Sequence, residues 1–361
     1  IKELEDKLEE LESIASPFTH FAMGVRDDEK PVDVRVLDRG DLANPGREVP
    51  RGLLTILKPA EPLPIPSRHS GRFQLAHWIS SAENPLTARV FVNRVWDHLF
   101  GRGLVDTVDN FGALGNVPSH PELLDALAVG FVEQKWSVKK LIRWIVLSRV
   151  YQLSSRYDAT NYTHDPDNRL LWRMPHRALG AEEIRDAMLA ASGQLNLERP
   201  AGSEVLKLSN KTIFGMRAVE AMDELNVRSV YLPILRGIVP ESLQVFDVAN
   251  PSLIVGKRDV TIVPTQALYL MNNSFVLRQA GHLARRILSD DQLGQAARIE
   301  LAYRLTLGRS PTDAERSAVA AFLNDYRKTL LDEKFEGSAQ QAAWASLCQT
   351  LFAAGQFRFL Y

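Results

Sequence analysis

The sequence contains a single cysteine, Cys348, and this scarcity excludes several kinds of site. One cysteine cannot form an intrachain disulfide, a multi-cysteine zinc or iron–sulfur site, or the two-thiol CxxCH attachment of a c-type haem. A lone cysteine is compatible with the cytosol, but a domain with a large core can also be exported without disulfides. The cysteine content therefore leaves the cellular compartment open.

The sequence also lacks a charge excess and lacks the common catalytic motifs. It has 43 basic and 44 acidic residues, so nothing at this level indicates a nucleic acid or an anionic membrane as a partner. No uninterrupted apolar run approaches the roughly 20 residues that span a bilayer. There is no G-x-S-x-G elbow, Walker loop, G-x-G-x-x-G motif, H-x-x-x-H pair or H-x-H pair. No reaction class follows from a known signature.

Helical periodicity is what the sequence does have. Apolar residues recur at helical spacing in most segments after Arg72, including 85–100, 119–134 and 264–289. Residues 32–40 alternate like a short strand, and the segments 227–235 and 242–248 resemble short strands or extended segments. These patterns predict a mainly α fold, a multi-helix globular domain with a small β-containing N-terminal segment and a short β insertion.

Composition divides the chain into three parts. Residues 1–16 place apolar side chains on one seam and predict a helical or coiled-coil connector. Because so short a helix is marginal alone, we expect the chain to be a C-terminal piece of a larger protein. Residues 17–71 are rich in proline and glycine and predict an extended, short-strand segment. Residues 72–361 predict the helical domain, with a sub-boundary near 196–263 left open.

A polar stripe on the predicted helix 85–100 directly precedes a glycine-punctuated loop, residues 101–112. Its residues at four-residue spacing are Arg89, Asn93 and Asp97, and an adjacent pair is Arg94 and His98. These groups could bind an anion or exchange protons, since histidine titrates near neutral pH. The competing interpretation is a structural network that holds the loop. We favour the structural role for the four-residue stripe, because ordering a glycine-rich loop costs conformational entropy.

The loop itself contributes two aspartates, Asp106 and Asp109, and His120 begins the next predicted helix. Asp106, Asp109 and the neighbouring Asn110 could hold a hard cation. The loop lacks the calcium-binding D-x-D-x-D-G pattern, however, and Asp and Asn also cap helices and close turns. We therefore expect no metal in this chain. If the domain is an enzyme, its acid–base candidates are His98, Asp106, Asp109 and His120.

A second charged cluster occupies residues 168–188. Charges at this density near a helix start usually fix helix geometry, and this predicts a structural network of Glu183, Arg185 and Asp186. Arginines also recognise carboxylate and sulfate groups through their planar fork. The candidates for binding an anionic ligand are Arg94, Arg173 and Arg177.

Several blocks of the sequence resemble one family. The segment "NPLTARVFVNRVWDHLFGRGLVDTVDNFG" and the following "PSHPELLDALAVGFVEQKWSVKKLIRWIVLSRVYQLSS" resemble PSD-one, a large planctomycete-specific domain of unknown function. Later blocks such as "HRALGAEEIRDAMLAASGQL" and "LAYRLTLGRSPTDAE" are similar to later parts of that family. The resemblance extends from about Val34 to Tyr361. Two departures are "IVGKRDVTIVP", in which Arg258 would take the place of a family arginine, and the ending "GQFRFLY".

The resemblance implies an architecture rather than a reaction. Members commonly follow a second planctomycete-specific domain and often a c-type cytochrome domain, are typically exported, and are often encoded beside secreted sulfatase-like proteins. It therefore implies an extracytoplasmic accessory or scaffolding module of a larger cytochrome-associated or polysaccharide-processing surface protein. Its partners would be the upstream domains of the same polypeptide and a secreted sulfatase-like protein. Haem would be found only in an upstream domain, and we expect no cofactor in this chain.

The alternative from a different functional class is an enzyme that acts on a sulfated or acidic polysaccharide. Its acid–base residues would lie around the loop 98–120. The resemblance supplies no catalytic residue for this alternative.

Overall fold

A computed structural model describes Lys7 and residues 24–57, 59, 63–202, 222–234 and 239–360. The predicted connector, residues 1–16, lies outside the described residues except for Lys7. The chain divides into two compact units, Ile1–Arg89 and Val90–Tyr361. The domain limits expected from composition stay predictions.

The described part of the first unit contains an antiparallel ribbon and a short helix. Strand β1 (Val34–Leu37) pairs with β2 (Pro45–Val49), and Val34 lies opposite Val49. The short strand expected within 32–40 is confirmed. Helix α1 is Arg72–Ile79. Asp27 accepts hydrogen bonds from the Ser70 amide (2.9 Å) and hydroxyl (2.5 Å) and from Arg72, and these bonds lower the pKa of Asp27 to about 2.

A capping side chain and a left-handed glycine set the limits of helix α2 (Thr87–Phe100). The Asn84 side chain accepts hydrogen bonds from the amides of Leu86 (3.0 Å) and Thr87 (3.1 Å), which an N-terminal cap provides. Gly101 adopts a left-handed conformation (φ 78°) and ends the helix. The loop 101–112 therefore leaves α2 at a defined point.

The second unit contains most of the helices. Their bounds are α3 (Pro121–Glu133), α4 (Val138–Val146), α5 (Ala159–His164), α6 (Ala181–Ser192), α7 (Glu241–Gln244), α8 (Pro264–Asn272), α9 (Ser274–Leu288), α10 (Gln295–Leu307), α11 (Asp313–Asp332) and α12 (Ala339–Ala353). A two-stranded antiparallel sheet joins β3 (Arg177–Ala178) to β4 (Phe359–Leu360). Together with the ribbon of the first unit, these elements confirm the mainly α class.

Helix α9 lies at the centre of the main hydrophobic core. It packs against α12 and α6, and its residues Phe275, Leu283 and Ile287 are buried. Asn273 separates α8 from α9, and its side chain accepts a hydrogen bond from the Phe275 amide (2.8 Å). The predicted helical stretch 264–289 is therefore two helices, because an internal Asn caps the second.

Within 227–235, Val227 forms an isolated parallel β-bridge with Asn196, but the strand interpretation is wrong for residues 229–231 and for 242–248. Residues Ser229–Tyr231 form a 3₁₀-helix, and Glu241–Gln244 form α7 after Pro240. Apolar residues of these segments pack in the core instead, as the buried Leu232, Leu243 and Phe246 show. Tertiary packing overrode their strand propensity. The second sheet of the described residues is the β3–β4 pair.

In the part of the chain that the structure describes, no helix is both long enough and apolar enough to cross a bilayer.

Candidate functional site

Asn93 joins α2 to the loop 101–112. Its side chain is fully buried (0% exposed), donates a hydrogen bond to the Val105 carbonyl (2.9 Å) and accepts one from the Val105 amide (2.8 Å). Gly103 packs against this contact: a Cβ there would lie 2.5 Å from the Val105 oxygen and 2.9 Å from Asn93 Nδ2. The loop therefore requires the amide at position 93 and the glycine at position 103.

Asp97, one helical turn further on, faces a lysine from a distant segment. Lys257 Nζ lies 3.3 Å from Asp97 Oδ1 and 3.6 Å from Asp106 Oδ1. The Asp97 side chain is 15% exposed, and its Oδ1 is buried without a hydrogen bond of good geometry among the described residues. The ammonium of Lys257 is thus the charge that compensates Asp97, and it ties Asp97 to the loop through Asp106.

The two loop aspartates also pair with arginines. Asp106 lies 3.5 Å from Arg102, and Asp109 accepts a hydrogen bond from Arg94 (2.8 Å). Asp109 covers Gly256, because a Cβ on that glycine would overlap the Asp109 carboxylate. Each candidate acid of the loop therefore lies in an ion pair.

Arg258 follows Lys257 in the chain and contacts α6. It binds Glu182 with two hydrogen bonds, at 2.6 Å and 3.0 Å. Burial raises the pKa of Glu182, but the hydrogen bond from Arg258 opposes it, and the net result is a lowered pKa. Residues 256–258 thus contact carboxylates of α2, the loop 101–112 and α6. We call these residues the GKR segment.

The cluster expected near 168–188 contains one internal ion pair, between Arg177 and Glu183. Arg177 binds Glu183 (3.2 and 3.3 Å), and Glu183 accepts a hydrogen bond from the Gly180 amide (2.7 Å) at the start of α6. Arg173 lies over the ring of Trp172, 4.8 Å from its centroid.

Arg185 and Asp186 hold the chain near residue 229. Arg185 is 1% exposed and donates hydrogen bonds to the Val227 carbonyl (3.2 Å) and the Ser229 hydroxyl (3.3 Å). Asp186 accepts hydrogen bonds from the amide (2.7 Å) and hydroxyl (2.6 Å) of Ser229. Burial lowers the pKa of Arg185, and the carboxylates of Asp223 and Asp186 oppose this effect.

A cleft of about 300 Å³ opens beside the loop, and we call it the loop cleft. Its buried apolar lining residues are Trp96, Phe100 and Leu104. Its polar lining residues from the segment 102–119 are Arg102, Asp106, Asn116 and Ser119. Its polar lining residues from the opposite segment are Asp167, Asn168 and Arg169. The cleft presents donors and acceptors above an apolar base.

The acid–base candidates do not converge in this cleft. Asp106 lines it, whereas His98, Asp109 and His120 are not among its lining residues. His98 is exposed on α2, and His120 Nδ1 lies 3.0 Å from the Ser119 hydroxyl. Arg89 donates a hydrogen bond to the Pro85 carbonyl (2.5 Å).

Sequence reasoning missed several residues of the site. The segment 164–169 brings Asp167, Asn168 and Arg169 to the cleft, and none of the three is among the candidate residues named from the sequence. Asn168 has a left-handed backbone (φ 51°), and its side chain donates a hydrogen bond to the Arg173 carbonyl (2.9 Å). An Asn in a tight turn was the available signal. Lys257 gave no signal, because its partners are distant in sequence.

Among the residues that the structure describes, no group of three or more His, Cys, Asp or Glu residues is arranged to hold a metal ion.

The sequence of the chain matches the model of one known protein family. A family model, PSD1, described as "Protein of unknown function (DUF1553)", matches residues 71–323. The chain belongs to this family. The match includes the loop cleft and the GKR segment. No curated protein and no solved structure matches the chain.

Proposed function

We propose that this domain is a non-catalytic accessory module that binds a polar ligand, a segment of polysaccharide, in the loop cleft. The observation that carries the non-catalytic role is that Asp97, Asp106 and Asp109 are held in ion pairs. Their partners are Lys257, Arg102 and Arg94. These groups bind one another across α2, the loop and the GKR segment. Their arrangement therefore supports a structural role.

The lining of the loop cleft supports a polyhydroxylated ligand. Sugar hydroxyls both donate and accept hydrogen bonds, and the cleft offers guanidinium donors, carboxylate acceptors and amides that do both. The buried Trp96, Phe100 and Leu104 supply an apolar base. Binding sites for small molecules combine such apolar surface with a few converging polar groups.

The wider setting of the module is part of the same proposal. The family resemblance supports an exported protein in which this domain follows upstream domains, one of them with haem in many relatives. A secreted sulfatase-like protein would be a partner. In this setting the domain would hold polysaccharide near a catalytic or redox partner.

A glycan array followed by calorimetric titration tests the binding proposal. Arg169 lines the cleft, whereas Arg156 is exposed and is not among its lining residues. We expect Arg169→Gln to weaken binding of an array hit by about tenfold, as loss of a charged hydrogen bond does, and Arg156→Gln to leave it unchanged. The absence of any glycan hit would contradict the proposal, as would equal affinities of the two variants.

A second candidate function is hydrolysis or elimination on an acidic polysaccharide. The observation that favours it is that two carboxylates, Asp106 and Asp167, line the loop cleft from different segments. Many glycoside hydrolases use two carboxylates that flank the reacting bond. Release of reducing ends by the wild-type domain, abolished in both Asp106→Asn and Asp167→Asn, would favour this enzyme over the binding module.

A further inference from the structure

A small polar cavity lies away from the loop cleft, among helices α10, α11 and α12. Its volume is about 80 Å³. The polar or aromatic side chains that line it are Gln295, Arg298, Asn324, Arg327, Gln340 and Trp344. No carboxylate and no histidine is among its lining residues. The cavity therefore combines two cationic side chains and three amides without a lining anion.

The two guanidinium groups are not neutralised by neighbours in the described part of the chain. Arg298 donates one hydrogen bond, from Nη2 to the Asp290 carbonyl (2.9 Å), and its Nε is buried without a partner there. Arg327 is exposed on α11, and no ion pair joins either arginine to a described acid. A buried guanidinium nitrogen that lacks an acceptor is costly unless a ligand supplies one.

Helix starts add positive potential to the same cavity. Gln295 is the first residue of α10, and Gln340 is the second residue of α12. The cap of α10, Gly294, has no side chain to accept hydrogen bonds from the first-turn amides. Because the N-terminal turn of a helix carries partial positive charge, both helices favour an anion in this cavity.

We propose that this cavity binds a tetrahedral oxyanion, a sulfate or phosphate group. Guanidinium groups bind such oxygens through parallel hydrogen bonds, and the lining amides and the indole N–H of Trp344 supply further donors. A volume of about 80 Å³ exceeds the roughly 10–15 Å³ that one water requires, but it is far smaller than the loop cleft. The cavity thus accepts the anionic group alone, either as the free ion or as the terminal group of a larger molecule.

Thermal unfolding of the full chain in sodium phosphate and in sodium sulfate tests the proposal, with sodium chloride at equal ionic strength as the reference. A ligand that binds only the folded state raises the unfolding temperature in a concentration-dependent way. We expect a saturable rise with phosphate or with sulfate beyond that in chloride. Equal curves in all three salts would overturn the proposal.

Two neighbouring residues of α11 provide a matched pair of variants. Arg327 lines the cavity, whereas Lys328 is exposed and does not. Arg327→Gln should weaken the anion effect by about tenfold, and Lys328→Gln, which removes the same charge, should preserve it. Equal weakening in both variants would show a nonspecific charge effect and overturn the site.

A calorimetric titration distinguishes the free ion from an anionic group on a larger molecule. It compares the binding of inorganic sulfate, glucose 6-sulfate and glucose. Saturable binding of either sulfated probe, lost in Arg327→Gln, supports the site and identifies which source it accepts. Equal binding of glucose and glucose 6-sulfate, with no binding of inorganic sulfate, would overturn it.

Discussion

The ammonium of Lys257 lies between two carboxylates, 3.3 Å from Asp97 Oδ1 and 3.6 Å from Asp106 Oδ1. Asp97 belongs to α2, Asp106 to the loop that follows it, and Lys257 to a segment far along the chain. One cation therefore joins three pieces of the domain beside the loop cleft. This relationship is the reason to regard Asp97 and Asp106 as structural groups.

Replacing Asn93 should destabilise the domain. In Asn93→Ala, both the amide and the carbonyl of Val105 lose their partner in a buried position, which costs about 1–3 kcal/mol. Urea unfolding measures this as a lower transition midpoint with an unchanged slope. Hydrogen exchange at the Val105 amide should also accelerate.

Asn161→Ala is the matched control for Asn93, because Asn161 is exposed on α5. Its free energy of unfolding should lie within about 0.5 kcal/mol of the wild type. Equal losses in the two variants would contradict the role assigned to Asn93.

Adding a methyl group at Gly103 should disturb the same contact. The Cβ of Gly103→Ala would lie 2.5 Å from the Val105 oxygen, which is backbone and cannot move aside cheaply. Overpacking of this kind costs about 1–3 kcal/mol. Thermal or urea unfolding measures the loss. Gly355→Ala, where a Cβ meets no atom within 4 Å, should cost less, and the reverse order would refute the steric argument.

The Glu182–Arg258 pair should make stability depend on acidity. The pKa of Glu182 in the folded chain lies below its ordinary value near 4.5, so the pair contributes stability above that value. The contribution is lost as the pH falls through the folded pKa. For side chains that are 26% and 45% exposed, it should amount to roughly 0.2–1 kcal/mol.

Urea unfolding of the wild type and of Arg258→Gln at about pH 7 and about pH 3 measures this effect. The difference between the two proteins should be larger at the higher pH. A difference that does not change between the two conditions would mean that the pair contributes no pH-dependent stability.

Local sequence patterns predicted much of the helical framework, and the reason is physical. The expected helix 85–100 corresponds to Thr87–Phe100, since Asn84 and Gly101 mark its limits through capping and left-handed geometry. The strand predicted for 242–248 was wrong, because its apolar residues can also be buried in the core by a short helix.

The site was less predictable than the fold. The four-residue spacing of Asn93 and Asp97 placed both on one stripe of α2, and this followed from helical geometry. The partner of Asp97 is Lys257, and no local pattern indicates which distant segment folds back onto α2. The position of Arg169 in the loop cleft was equally unpredictable, because it depends on where the tertiary fold places its turn.

A double-mutant cycle on Lys257 and Asp97 tests the structural role of the charged network most directly. The free energies of unfolding of Lys257→Met, Asp97→Asn and the double variant are compared with that of the wild type. The account predicts that the two substitutions are coupled by about 0.5–3 kcal/mol, as expected for residues in one network. Losses that add within about 0.3–0.5 kcal/mol would contradict it, because independent groups behave in that way.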